Sequence, residues 1–224
     1  MTADLASWSP RPRPDSLAAT GRHVSLERIV DDCRFDELYD AFSADVEGSL
    51  YHWLPYGPFS TRAEFKDFAR RTYIGGDNCF YALVPTASGR AEGVAALMRT
   101  DTAMGVTEIG HICLAPSLQR TVAATEAFAL FMAYVFDTLG YRRFEWKCDN
   151  GNEPSKRAAT RLGFVEEGLF RQHMIVKGRN RDTAWLSITD GEWPALRHAF
   201  AQWLDPANFE AAGRQVRPLS DFRR

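Results

Sequence analysis

Between residues 114 and 127 the chain reads LAPSLQRTVAATEA: a strand exit, a turn at Pro116 and the start of a helix. Such a turn can seat a phosphate, because the first amides of a helix lack partners and carry a partial positive charge. Loops of this kind ordinarily contain glycine for close approach or a positive φ, yet no glycine lies between Gly110 and Gly140. Two readings stay open: a phosphate loop without its glycines, or a plain turn into a buried helix. If Val122 takes right-handed helical geometry, only its bulk intrudes. Ala123 and Ala124 keep the approach nearly bare, Thr121 and Thr125 add hydroxyls, and Arg120 can pair with a phosphate oxygen. Just upstream, VTEIGHICL carries Glu108 and His111. A neutral imidazole can accept a proton near pH 7, although a strand histidine is more commonly a packed, hydrogen-bonded one. Alternation puts Glu108 and His111 on opposite faces of a strand unless a bulge intervenes.

The elements that hold these residues follow from periodicity. After a strand at 24–29, Phe35, Leu38, Tyr39 and Phe42 take helical spacing with Asp31 and Asp32 as caps. Thr61 and Glu64 form a capping box for a second helix. CFYALVP and EGVAALMR read as a hairpin, and VTEIGHICL as a central strand. The helix that follows, 118–139, is apolar around much of its circumference and stops at Gly140. YRRFEWKC is the next strand. Asn152 caps a short helix with Pro154 in its first turn. LFRQHMIV and TAWLSI flank KGRNRD as a long hairpin, and a last helix covers 192–204. The order predicts an α/β (α+β) domain around a single mixed sheet, with the helix-flanked strands parallel.

With 45% hydrophobic and 25% charged residues among 224, the chain reads as one soluble domain over 21–204. The Pro-Arg stretch at 1–20 reads as an arm, disordered or laid over the domain or a neighbouring subunit, and 205–224 as a tail. A net charge of −2 gives no nucleic-acid footprint. The four cysteines form no close ligand pair, so neither a disulfide framework nor a metal site is expected, and a reducing cytoplasm is the simpler setting. No run suits a membrane span or a signal peptide.

Two motifs carry a resemblance. Gln119-Arg120-Thr121-Val122-Ala123-Ala124 resembles the acyl-CoA loop of the GCN5-related N-acetyltransferases (GNAT), Gln/Arg-x-x-Gly-x-Gly/Ala, with Val122 in place of the central glycine. NEPSKRAATRLGFVEEGLFRQ resembles the second family motif at Asn152, Ser155, Gly163, Phe164, Glu167 and Gly168. The branch it resembles includes the ribosomal-protein N-terminal acetyltransferases, but the carboxylate some of them carry after the Glu-Gly pair is absent from FRQHMIV.

The resemblance implies an acyl-CoA N-acyltransferase sheet and transfer of acetyl from acetyl-CoA to a primary amine in a ternary complex, without a metal. It implies a cofactor site at 119–125, oxyanion donors among the amides of Ile112, Cys113 and Leu114, and a cofactor contact from Asn152. Glu108 is then the candidate base, with His111 the alternative. Ser155 matches a position that can bond the leaving sulfur, and Ala159 stands where many members have a tyrosine acid. The acceptor should lie between the first helices and the last hairpin, walled by Tyr51, Trp53 and Tyr56 of YHWLPYGPF; Trp53 is the more core-like of these, and KGRNRD could hold an acidic substrate. A longer acyl or aminoacyl donor, or a non-catalytic acyl-CoA-binding scaffold, are the competing expectations. A homodimer would suit the arm and hairpin.

Overall fold

The fold comes from a computed structural model that describes residues 5–211 and 213–223. Eight strands form one sheet: β1 (Ala18–Thr20), β2 (Val24–Arg28), β3 (Cys79–Pro85), β4 (Gly93–Asp101), β5 (Val106–Leu114), β6 (Arg143–Asp149), β7 (Val165–Val176) and β8 (Arg179–Thr189). Their order is β1-β2-β3-β4-β5-β6-β8-β7, and every neighbouring pair is antiparallel except β5 with β6. The parallel pair needs a crossover, supplied by α3 (Val122–Ala133) and a wide helical turn to Thr138.

The sheet is covered on both faces, and β3 is buried along its whole length, as its unbroken apolar run requires. One core gathers Tyr81, Leu97, Ile109 and Phe144 under α3 and α5 (Trp193–Trp203), with Ala159 and Leu162 of α4 (Glu153–Leu162). The other packs Phe35 of α1 (Phe35–Ser43), Phe65 of α2 (Arg62–Ala69) and Tyr73 of the turn after it against Phe80 and Val94. The Glu126 carboxylate, buried on α3, accepts the amides of Arg22, His23 and Val24 at 2.9, 2.6 and 3.1 Å. Gly21 has no side chain because a Cβ there would collide with that carboxylate.

Several boundaries move for local reasons. Residues 115–119 form a turn closed on the Ala115 carbonyl, so α3 starts at Val122 with Thr121 as its cap rather than at 118. Arg34, not Asp31 or Asp32, precedes α1; Asp31 instead bonds the Cys33 amide at 3.0 Å. The expected arm is tied down from Leu5 onward. Proline carbonyls stay free to accept, and Pro12 and Pro14 take the hydroxyls of Tyr141 and Tyr81, while 18–20 add a strand to β2. The expected tail is packed as well: Leu219 is buried, and Gln215 accepts the Trp203 indole at 3.0 Å.

Candidate active site

The chemistry-bearing strand is β5, and two bulges shape it. Val94 faces Cys113 and Ala96 faces Gly110, so Ala95 stands opposite both His111 and Ile112. His111 takes φ +50° to fit the extra residue. The bulge shifts the alternation, and Glu108 and His111 line the same cavity. A second shift lies between Met98 and Asp101, where Arg99 sits at φ +47° and turns its guanidinium onto Glu108. Left-handed geometry at two non-glycine residues costs about 1 kcal/mol or more each and is commonly stored at functional sites.

Pairing between β5 and β6 stops at Ile109 opposite Trp146, although both strands continue. Beyond that point the strands diverge. The Ala115 amide donates to Glu92 on the β4 side at 2.8 Å. Strand alternation therefore turns the amides of Leu114 and Ile112 to the opposite edge, into the gap. By the same alternation the amide of Cys113, the other expected donor, turns toward β4, where Cys113 pairs with Val94.

The cavity at this gap has a volume of about 210 Å³ and takes in Trp53, Arg99, Glu108, His111, Ser155 and Arg181. Glu108 does not stand as a free base. Arg99 Nη1 lies 2.8 Å from both its oxygens, and Lys147 Nζ lies 2.9 Å from Oε2. The carboxylate is 3% exposed, and both its oxygens are taken up by these two cations. Lys147 also reaches Glu145 at 2.7 Å and lies 3.7 Å from the Trp185 ring centre.

His111 is stacked on Tyr56 at 5.6 Å and 9°, with Nδ1 3.4 Å from the Tyr56 hydroxyl and the Phe80 ring 5.0 Å away. Burial, then the Arg99 charge, lowers its pKa from 6.5 to about 4. The ring is neutral in the fold while the unfolded chain binds a proton below 6.5. Stability from this group is therefore complete above that pH and is lost as pH falls toward 4. Urea unfolding should lose about 2 kcal/mol between pH 7 and 5. His111→Asn, which suits the left-handed backbone, should flatten the slope; an unchanged slope would place its origin elsewhere.

Ser155 opens α4, where Asn152 accepts its amide at 3.1 Å, and its Oγ accepts the Trp146 indole at 2.9 Å. Asn152 and Ser155 both line the cavity. The Ser155 hydroxyl also reaches the Cys148 sulfur: burial raises that thiol's pKa, and the Ser155 bond partly offsets the rise.

A second cleft, of about 630 Å³, begins at Leu114 and runs between α3 and α4. The two draw on neighbouring residues: Ile112, Asn152 and Ser155 line the cavity, Leu114 and Pro154 the cleft. Here the absence of glycine resolves. The left-handed step of the loop falls on Arg120, at φ +62°, and Val122 is already in right-handed helix. Thr121 Oγ1 caps the Ala124 amide at 3.1 Å, and no acceptor bonds the Val122 and Ala123 amides among the described residues. Arg120, Thr121, Val122, Ala124 and Thr125 line the cleft. Gln119 does not: its side chain donates to the Leu114 carbonyl at 2.9 Å. Ala123 faces a separate groove, and the Thr125 hydroxyl bonds Arg161 at 3.1 Å and the Thr121 carbonyl at 3.3 Å.

In the aromatic loop the expected order of roles reverses. Trp53 lines the cavity, whereas Tyr51 is buried against Phe42 and Phe59, and Tyr56 backs His111 without lining the cavity. Loop rings nearest α1 have a core to enter, and Trp53 does not. The hairpin tip holds this loop. Lys177 Nζ donates to the carbonyls of Tyr51 and Gly57 at 2.8 and 2.9 Å, which leaves Arg181 as the cation of KGRNRD at the cavity. Arg99 and Lys147 escaped the sequence reading. A basic residue within a strand otherwise reading as core, as Lys147 does in FEWKC, was the available signal.

A model of the family described as acetyltransferase (GNAT) domain matches residues 24–165. The crystal structure of a GCN5-related N-acetyltransferase from Brucella melitensis is 50% identical, with a TM-score of 0.94 over 97% of this chain and 98% of that one. YdaF of Bacillus subtilis (strain 168), provisionally named a ribosomal N-acetyltransferase, is 30% identical over 101 residues, 45% of this chain and 55% of its own. YoaA of the same organism, an uncharacterized N-acetyltransferase, is 35% identical over 81 residues, 36% of this chain and 45% of its own. The chain spans about half the length of these curated relatives. With the family match covering most of the described strands and the gap between β5 and β6 at its centre, the chain belongs to the GNAT acetyltransferase family.

Proposed function

We propose that the chain is an N-acetyltransferase that moves an acetyl group from acetyl-CoA to a primary amine, on a small molecule or a protein N-terminus, by direct attack in a ternary complex. The observation that carries this reading is the gap between β5 and β6, where the cavity around His111 borders on residues next in sequence to those of an arginine-lined cleft. The free amides of Val122 and Ala123, with Arg120, suit a diphosphate. The Leu114 and Ile112 amides suit the carbonyl oxygen of a thioester lying in the gap.

In the reaction a C–N bond forms as the C–S bond breaks. The proton leaving nitrogen passes to His111, directly or through water, and Ser155 donates to the departing thiolate. A weakly basic imidazole is adequate here, because nitrogen in the tetrahedral adduct is more acidic than a free ammonium. Glu108 acts through Arg99 and Lys147, fixing the bulge and the local charge. Four cysteines without disulfide partners suit a reducing cytoplasm.

The test is thiol release from acetyl-CoA across a panel of amines, N-terminal peptides included. Amine-dependent release that falls about 10²-fold or more in His111→Asn supports the assignment. Binding of acetyl-CoA with no release for any amine would instead make the chain a scaffold.

A further inference from the structure

The cleft along α3 and α4 has a third wall that the family's sheet does not provide. It is built from the segment after α5: Phe209, Gly213, Arg214 and Gln215 line it opposite Pro154 and Arg157. That segment is held on itself and on the helices. Phe209 bridges Gln215, the Glu210 amide donates to the Arg214 carbonyl at 2.9 Å, and Val216 donates to Asn208 at 2.7 Å. Phe209 packs edge-on against Trp203 at 5.3 Å, and Arg223 donates to the Thr160 carbonyl at 2.9 Å.

The charged side chains that line this cleft are arginines. Arg120, Arg157, Arg161 and Arg214 line it, and no aspartate or glutamate does among the described residues. Arg161 is fixed between Thr125, at 3.1 Å, and the Trp203 ring, 5.3 Å away, which places it beside the first turn of α3. With Arg120 and the α3 amides, it serves the same position as the proposed diphosphate.

Arg157 and Arg214 remain. Arg157 lies one turn before Arg161, roughly 6 Å along α4, and no carboxylate bonds it among the described residues. Arg214 is aimed by a two-pronged bond to Glu210, Nε and Nη2 each 3.0 Å from an oxygen, which leaves Nη1 unbonded among the described residues. About half of the charge of CoA near pH 7 sits on the ribose phosphate monoester, which Arg157 and the unbonded Nη1 of Arg214 suit as donors.

We propose that Arg157 and Arg214 clamp the 3′-phosphate on the ribose of CoA, so that the C-terminal segment is part of the cofactor site and selects CoA over its 3′-dephospho form. The proposal rests on the acetyl-CoA reading and goes beyond it.

Calorimetric titration of the full chain with CoA and with 3′-dephospho-CoA tests it, at 0.15 M salt and in Arg157→Gln, Arg214→Gln and the double variant. Both side chains are exposed, so the fold should survive. The wild-type chain should bind CoA about 10-fold or more tighter than the dephospho form. Each single variant should lose about 5- to 10-fold for CoA and less than about 2-fold for dephospho-CoA, and the double variant should bring the ratio near one. Equal wild-type affinities, or variants that weaken both ligands alike, would overturn the clamp alone. Binding of neither ligand would overturn it together with the acetyl-CoA reading.

Discussion

Val122→Asp should weaken acetyl-CoA binding about 100-fold or more while leaving the chain folded. Position 122 opens α3 and lines the cleft. An aspartate in the first turn is favourable for the free protein by roughly 0.3–1 kcal/mol, since it meets the unpaired amides and the positive helix end. That gain offsets part of the burial lost with the valine side chain, which is partly buried against the main core. With ligand present the same charge competes for those amides and repels the diphosphate, at about 3 kcal/mol per charge pair at 5 Å and an effective dielectric of 20. Stability and affinity should thus move independently, as read by urea unfolding and calorimetry. Val122→Gly is the companion variant. Because the backbone there is right-handed, glycine should cost about 1 kcal/mol of stability and change affinity by less than about 3-fold. A large gain in affinity with glycine would mean that the valine obstructs the site and that this account of the loop is wrong.

The largest stability effect should come from Lys147→Met. Lys147 is 7% exposed and bridges Glu108 and Glu145, exposed by 3% and 11% at their side chains. Removing the ammonium leaves two buried carboxylates with one arginine each, Arg99 and Arg143. Breaking a buried ion pair from one side costs about 3 kcal/mol or more, because the remaining charges stay desolvated with less compensation. Lys147→Met with Glu108→Gln should recover about half of that loss.

The network also sets an acid limit. Burial raises the Glu145 pKa, but hydrogen bonds from Lys147 and Arg143 outweigh it, so the folded value lies below the ordinary carboxylate value. A depressed carboxylate contributes stability above its unfolded pKa and loses it as pH falls through the folded one. The acid midpoint should accordingly move upward in Lys147→Met. A single variant within about 1 kcal/mol of wild type, with an unmoved acid midpoint, would show that the network is not what holds β5 against β6.

What the sequence made legible was local. Asn152, Pro154 and the stop at Gly163, at φ +110°, place α4 through chemistry contained within a dozen residues. The parallel pair joined by an apolar helix was legible for the same reason. The bulge at His111 was not, because a register shift depends on the partner strand, and only there do Glu108 and His111 come to share a cavity. Nor could sequence assign the left-handed step of the phosphate loop, which falls on Arg120 and so relieves position 122 of any need for glycine. The roles of Tyr51, Tyr56 and Trp53 reversed because composition cannot tell which ring of a loop finds a core. The arginines of the cleft come from α3's entry turn, α4 and the C-terminal segment, and no spacing rule joins them.

Hydrogen–deuterium exchange with and without saturating acetyl-CoA tests the central claim most directly. New protection should be confined to peptides covering 110–114 of β5 and 120–125 at the start of α3, with a smaller effect across 209–216, while β1 and β2 stay unchanged. Binding that leaves both of the first two segments unprotected would contradict it, since the ligand would then lie neither at the α3 amides nor in the gap between β5 and β6.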